Sequence, residues 1–111
     1  MRKEGGFTLI ELMIVVLIIG ILVAIAVPVF MSSRSNAEKG SCQANQRTVD
    51  SAVMQYSVAN DGLYPDAFDD IVPTYIANTP TCKTAGATYT WRTPVGEPSY
   101  IDCSVVAHNI H

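Results

Sequence analysis

Residues 7–31 form a nearly unbroken apolar run in which only Thr8, Glu11 and Gly20 interrupt. As an α-helix its 25 residues reach about 37 Å, against a bilayer hydrocarbon core of about 30 Å. The segment can therefore span a membrane with some tilt. It also explains a composition that is 49% hydrophobic and 15% charged, where a soluble domain carries about 25% charged residues. Without the run, about eighty residues remain, an ordinary and mildly acidic domain of normal small size. A formal net charge of −3 over 111 residues excludes a nucleic-acid binder held by overall charge, a disordered chain and a large enzyme core.

The run is preceded by Met1-Arg2-Lys3-Glu4-Gly5-Gly6. Positive charge stands on both sides, at Arg2 and Lys3 before it and at Arg34 and Lys39 after it, so counting charges does not orient the span. The short charged leader resembles the first region of a signal peptide and favours a cytoplasmic N-terminus. A secretory signal places its small-residue cleavage site after the apolar stretch. Here Gly5-Gly6 comes before it, so a cut after Gly6 would remove the leader and leave the helix on the mature chain. The plainer alternative is an uncleaved single-pass anchor.

Glu11 is what a plain anchor does not explain. An ionised carboxylate is costly in hydrocarbon and implies a partner. The nearest candidate is the α-amino group that a cut after Gly6 would create on Phe7. One helical turn separates the two, so they can pair within a chain, or between chains stacked with an axial offset of about one turn. The alternative is a carboxyl group at headgroup level, solvated or protonated.

The string Gly6-Phe7-Thr8-Leu9-Ile10-Glu11-Leu12-Met13-Ile14-Val15-Val16 resembles the processing and assembly motif of type IV prepilins and of the pseudopilins of type II secretion. The resemblance is strong over residues 2–34. It implies cleavage between Gly6 and Phe7 by a prepilin peptidase on the cytoplasmic face, and N-methylation of Phe7. It further implies polymerisation into a helical filament with a core of bundled apolar helices, in which Glu11 neutralises a neighbour's terminal amine. The implied partners are other copies of the chain, the peptidase, an inner-membrane assembly platform with minor pilins, and membrane lipid before assembly. The implied location is the bacterial inner membrane as a single-pass precursor, then an extracellular or periplasm-spanning filament. Gly20 and Pro28 fit that picture on physical grounds. Proline lacks the helical donor and clashes with the carbonyl of Ala24, and glycine costs about 1 kcal/mol against alanine in a helix. Similar pilins kink or lose helix at this point, although a harmless kink serves as well.

After Met31 amphipathic spacing takes over, with Cys42, Val49, Ala52, Val53 and Tyr56 on one face. The helix is expected to run to about Ala59 and stop at Asn60-Asp61-Gly62. A loop with a short helix follows over Asp66-Ala67-Phe68-Asp69-Asp70-Ile71-Val72, with Phe68, Ile71 and Val72 turned to the core. Residues 88–92 and 100–106 have strand composition and predict an antiparallel hairpin with a longer loop. The expected fold is α+β, a long N-terminal α-helix packed on a small antiparallel β-sheet head. Its parts are a leader over residues 1–6, an apolar membrane or filament-core helix over 7–31, and an exported head over 32–111 that includes the amphipathic half of the helix.

The three cysteines are Cys42, Cys82 and Cys103. Export favours disulfides, and Cys82 and Cys103 flank the hairpin segment. Closing that loop contributes about 3 kcal/mol in the chain-entropy model. Cys82–Cys103 is the favoured pairing, with Cys42 packed as a small hydrophobe. Cys42 bonded to either partner stays open, because connectivity is not readable from sequence. His108 and His111 at the end of the chain read as a solvated tail rather than a metal clip. Asp61, Asp66, Asp69 and Asp70 form an acidic patch; they are weak calcium candidates, since they lack the spacing of a calcium-binding loop. Residues 48–82 contain five acids and no Lys or Arg, a surface that repels DNA. No catalytic constellation and no cofactor motif is present. The reading is a structural filament subunit, with a secretion pseudopilin as the near alternative and a membrane-anchored binding domain as the distant one.

Overall fold

A computed structural model describes residues 6–111. Of the expected leader, residues 1–5 lie outside the described residues. The first element, α1, is a single α-helix over Leu9–Ala59, and the boundary between two compact units falls between Ser35 and Asn36. The helix runs unbroken through Gly20 and Pro28. Its stop lies where Asn60-Asp61-Gly62 predicts it. Asp61 and Gly62 take positive φ values of 57° and 86°, and the Gly62 N–H donates to the Ser57 carbonyl at 2.8 Å. A left-handed residue after the last turn lets late carbonyls find a donor, and glycine adopts it without a Cβ penalty.

In the second unit α1 buries one stripe: Cys42, Gln46, Val49, Ala52, Val53 and Ser57. The apolar members were expected; the polar Gln46 and Ser57 were not. Against the stripe pack α2 (Phe68–Ile71) and a two-stranded antiparallel sheet of β1 (Tyr89–Arg92) and β2 (Tyr100–Cys103). Val49, Ala52, Val53, Ile71 and Ile101 form the buried centre, with Tyr56, Phe68, Val72, Tyr89 and Trp91 packed around it. The strands pair Tyr89 with Cys103 and Trp91 with Ile101, so these four share one face of the sheet. Thr90 and Arg92 alternate outward and are exposed. Phe68 meets Trp91 edge-to-face at 4.9 Å between ring centres.

The second strand is shorter than its composition predicts. It ends at Cys103, and Val106–His108 form a 3₁₀ turn. The last backbone bond of the hairpin runs from Ser104 N–H to the Thr88 carbonyl at 2.9 Å. On the other edge the Asn109 side chain takes both backbone groups of Cys103, accepting from its N–H at 2.6 Å and donating to its carbonyl at 3.2 Å. The amide does the work of a neighbouring strand, so the chain turns back instead of extending through Val106.

Candidate functional site

Two places carry chemistry, one in each unit. The first is the start of α1. Gly6 and Phe7 are exposed and non-helical, and a Cβ on Gly6 would meet nothing within 4 Å. Thr8 and Glu11 close on each other. Thr8 N–H donates to Glu11 Oε2 at 2.7 Å, and Glu11 N–H donates to Thr8 Oγ1 at 3.2 Å. This reciprocal pair is a capping box, which satisfies two donors that a helix start otherwise leaves unpaired. The Thr-x-x-Glu spacing ahead of an apolar run is its sequence signal, absent from the expectation for Glu11. Phe7 is joined to Gly6 by a peptide bond here and carries no ammonium. Beyond this cap the helix is apolar on every side. Its large side chains from Leu12 to Met31 are 49% to 66% exposed, and a helix apolar all round needs cover from lipid or from other helices.

The second place lies in the head. Cys42 on α1, Cys82 in the loop before β1 and Cys103 at the end of β2 are free thiols that converge. The Cys82 sulfur lies 3.7 Å from that of Cys42 and 3.7 Å from that of Cys103. The expected partners Cys82 and Cys103 are thus neighbours, and Cys42 is equally near. His108 joins them: a ring nitrogen and the three sulfurs all lie within 4.8 Å of one another. The expectation of a solvated histidine tail is corrected for His108, which is 7% exposed, and its Nδ1 has no hydrogen-bond partner. His111 sits 3.1 Å from the Asp50 carboxylate.

Several polar contacts hold the cluster. Gln46 donates from Nε2 to the His108 carbonyl at 2.9 Å and toward Cys42 Sγ at 3.6 Å, and its Oε1 accepts from Ile110 N–H at 3.1 Å. Val105 N–H points to Cys103 Sγ at 3.4 Å. Asn45 donates to the carbonyl of Thr81, beside Cys82, at 3.2 Å, and the Tyr89 hydroxyl donates to the carbonyl of Cys42 at 3.3 Å. Burial raises the Cys103 thiol to about 12, with Cys42 and Cys82 adding to the rise against an opposing bond from Val105 N–H. Burial also acts upward on Cys82, but bonds from Thr84, Cys42 and Cys103 outweigh it and hold that thiol below its ordinary value. Burial, with the bond to Cys42, raises the Tyr89 phenol.

The four aspartates lie elsewhere and are exposed. Asp70 Oδ2 accepts from the N–H groups of Asp66 and Ala67, at 2.8 and 3.3 Å, where α2 begins. Among the described residues, the donor side chains that gather to metal-binding distance are the three cysteines and His108.

Residues 1–27 match the family described as the prokaryotic N-terminal methylation motif. The chain is 41% identical over 88 residues to the type IV narrow pilus major component PilA5 of Thermus thermophilus, covering 79% of this chain and 71% of that one. It is 35% identical over 65 residues to the type II secretion system core protein G of Vibrio cholerae, covering 59% and 44%. It is 41% identical over 69 residues to the type IV major pilin protein PilA of Myxococcus xanthus, covering 62% and 31%. It thus spans less than half the length of the last two. No solved structure matches it.

Proposed function

The chain belongs to the type IV pilin and pseudopilin family, and from that premise we propose that it is the subunit of a thin type IV pilus rather than a secretion pseudopilus. The observation that carries this reading is the reach of the pilus likeness. Its 88 residues exceed everything up to the end of α1, so it extends into the head. The match to the Vibrio secretion protein is shorter, at 65 residues, and covers 44% of that protein against 71% of the Thermus pilus component.

The mechanism starts with the leader. Gly6 is exposed, and Thr8 and Glu11 cap the helix just beyond it. An open glycine lets a prepilin peptidase approach the Gly6–Phe7 bond, and the cut leaves a new amine on Phe7 for methylation. The apolar side chains as far as Met31 rest in lipid until the assembly platform delivers the subunit. They then exchange lipid for the equivalent helices of neighbouring copies, which covers the same surface. Glu11 keeps one oxygen on the Thr8 N–H and offers its charge to the Phe7 ammonium of the next subunit. Gly20 and Pro28, where intrahelical bonding is weakest, let the helix yield as it packs. The head adds the outer surface of the filament, and its role is structural rather than catalytic.

Electron microscopy of material sheared from cells tests this reading, combined with mass spectrometry of its subunits. Thin extracellular fibres containing this chain, begun at a methylated Phe7, are expected. Fibres confined to the periplasm at native expression, or secretion lost when the gene is deleted while surface fibres persist, would assign it to the pseudopilus branch.

A further inference from the structure

We propose that Cys42, Cys82, Cys103 and His108 form a tetrahedral zinc site that staples the head. Three sulfurs and one imidazole are a donor set that suits Zn²⁺, a d¹⁰ ion with no redox chemistry of its own. The spacing of the sulfurs supports it. A Zn–S bond of about 2.3 Å places two sulfurs on a tetrahedron about 3.8 Å apart, and the Cys82 sulfur stands 3.7 Å from each of the other two. A single disulfide would use two of these cysteines. It would leave the third thiol and the unpartnered Nδ1 of His108 enclosed together, an arrangement that buried polar groups normally avoid. A metal ion uses all four.

The surroundings are those of a supported site. Metal-binding side chains are held by outer hydrogen bonds, and here Gln46 holds the backbone of His108 while reaching Cys42, and Val105 N–H points at Cys103. Asn109 clips Cys103 from both sides of its backbone. The N–H···S contacts from Gln46 and Val105 offset charge on thiolates, and three thiolates with a neutral imidazole leave a Zn²⁺ centre with one net negative charge. Cys42, Cys103 and His108 are buried, whereas Cys82 is partly exposed and gives the ion a way in. The donors come from α1, the long loop, β2 and the 3₁₀ turn, so one ion ties together segments that a small apolar core leaves loosely joined. Binding releases to solvent the proton of each thiol that was protonated beforehand, and neither metal nor sulfur changes oxidation state.

The test uses the full mature chain in detergent, purified without chelators. Elemental analysis should find one zinc per chain. All three thiols should resist a thiol reagent until a chelator is added, and then react. Cobalt(II) added to the metal-free, reduced chain should give thiolate charge-transfer bands and the intense visible absorption of a tetrahedral centre. His108→Ala should weaken cobalt binding and shift that spectrum, and Gln46→Ala should lower metal affinity about 10–100-fold. The cobalt spectrum of the unaltered chain keeps the test independent of any variant that folds poorly. A metal-free chain whose native filaments yield a disulfide between any two of the cysteines would overturn the proposal. So would cobalt binding by His108→Ala with unchanged affinity and spectrum.

Discussion

The side chain of Gln46, fully buried on α1, donates to the main-chain carbonyl of His108 at 2.9 Å, across 62 positions of sequence. The same amide receives Ile110 N–H on its oxygen. One glutamine thereby fastens the C-terminal turn to the helix, and the turn in turn sets His108 against the cysteines.

Gln46→Ala should therefore destabilise the head. Each buried group left without a partner costs about 1–3 kcal/mol, and this change strands the His108 carbonyl and the Ile110 N–H. A lower urea midpoint with faster amide exchange at Ile110 is the expected result. An unchanged midpoint would mean that the tail does not depend on this bridge.

Gly6→Leu should leave the leader uncut. The chain itself has room for the side chain, since a Cβ there meets nothing within 4 Å, so failure must arise in the peptidase. Intact-mass analysis should find the full precursor in the membrane. Normal processing would place the cleavage elsewhere.

Glu11→Gln separates two roles of one residue. Glutamine completes a capping box as glutamate does, so the start of α1 should persist while the charge is lost. Membrane insertion and cleavage should proceed, and filament yield should fall sharply. Thr8→Ala does the reverse: it removes the hydroxyl cap, at about 1 kcal/mol, and keeps the charge, so filaments should still form. Equal filament yields from Glu11→Gln and the unaltered chain would show that charge does not govern assembly.

Ile71→Ala tests the core. Ile71 is fully buried among Val49, Val53 and Ile101, and such truncations cost about 2–5 kcal/mol. The unfolding midpoint of the head should drop accordingly. A cost below 1 kcal/mol, on the order of an Ile→Val change, would mean that α2 packs less tightly than its burial indicates.

Added calcium should leave the unfolding midpoint unchanged. A bound ion at a hundredfold excess over its dissociation constant would add about 2.7 kcal/mol. Asp70 already accepts two backbone donors, and Asp61, Asp66 and Asp69 stay exposed. A calcium-dependent rise that disappears in Asp69→Asn would restore the acidic patch as a site.

Much of the architecture was legible because it is written in local periodicity. The apolar run, the amphipathic stripe of Cys42, Val49, Ala52 and Val53 and the stop at Asn60-Asp61-Gly62 follow from neighbours a few residues apart and stand where expected, and the hairpin forms with a shorter second strand. The Thr8–Glu11 box is also a local four-residue pattern, although the expectation for Glu11 did not include it. The end of β2 was not, because it depends on Asn109 folding back to occupy the backbone of Cys103.

By itself the sequence determined an N-terminal methylation motif, a helix too apolar to stand alone and a small head carrying three cysteines and two histidines. Only the tertiary structure decided that Cys42, Cys82, Cys103 and His108 meet. Their convergence depends on the path of a long loop with little regular structure and on a turn after β2. No periodic pattern encodes such a path. It is selected by the packing of Ile71 and Ile101 against α1 and by the bridge from Gln46 to the tail, contacts between residues far apart in the chain.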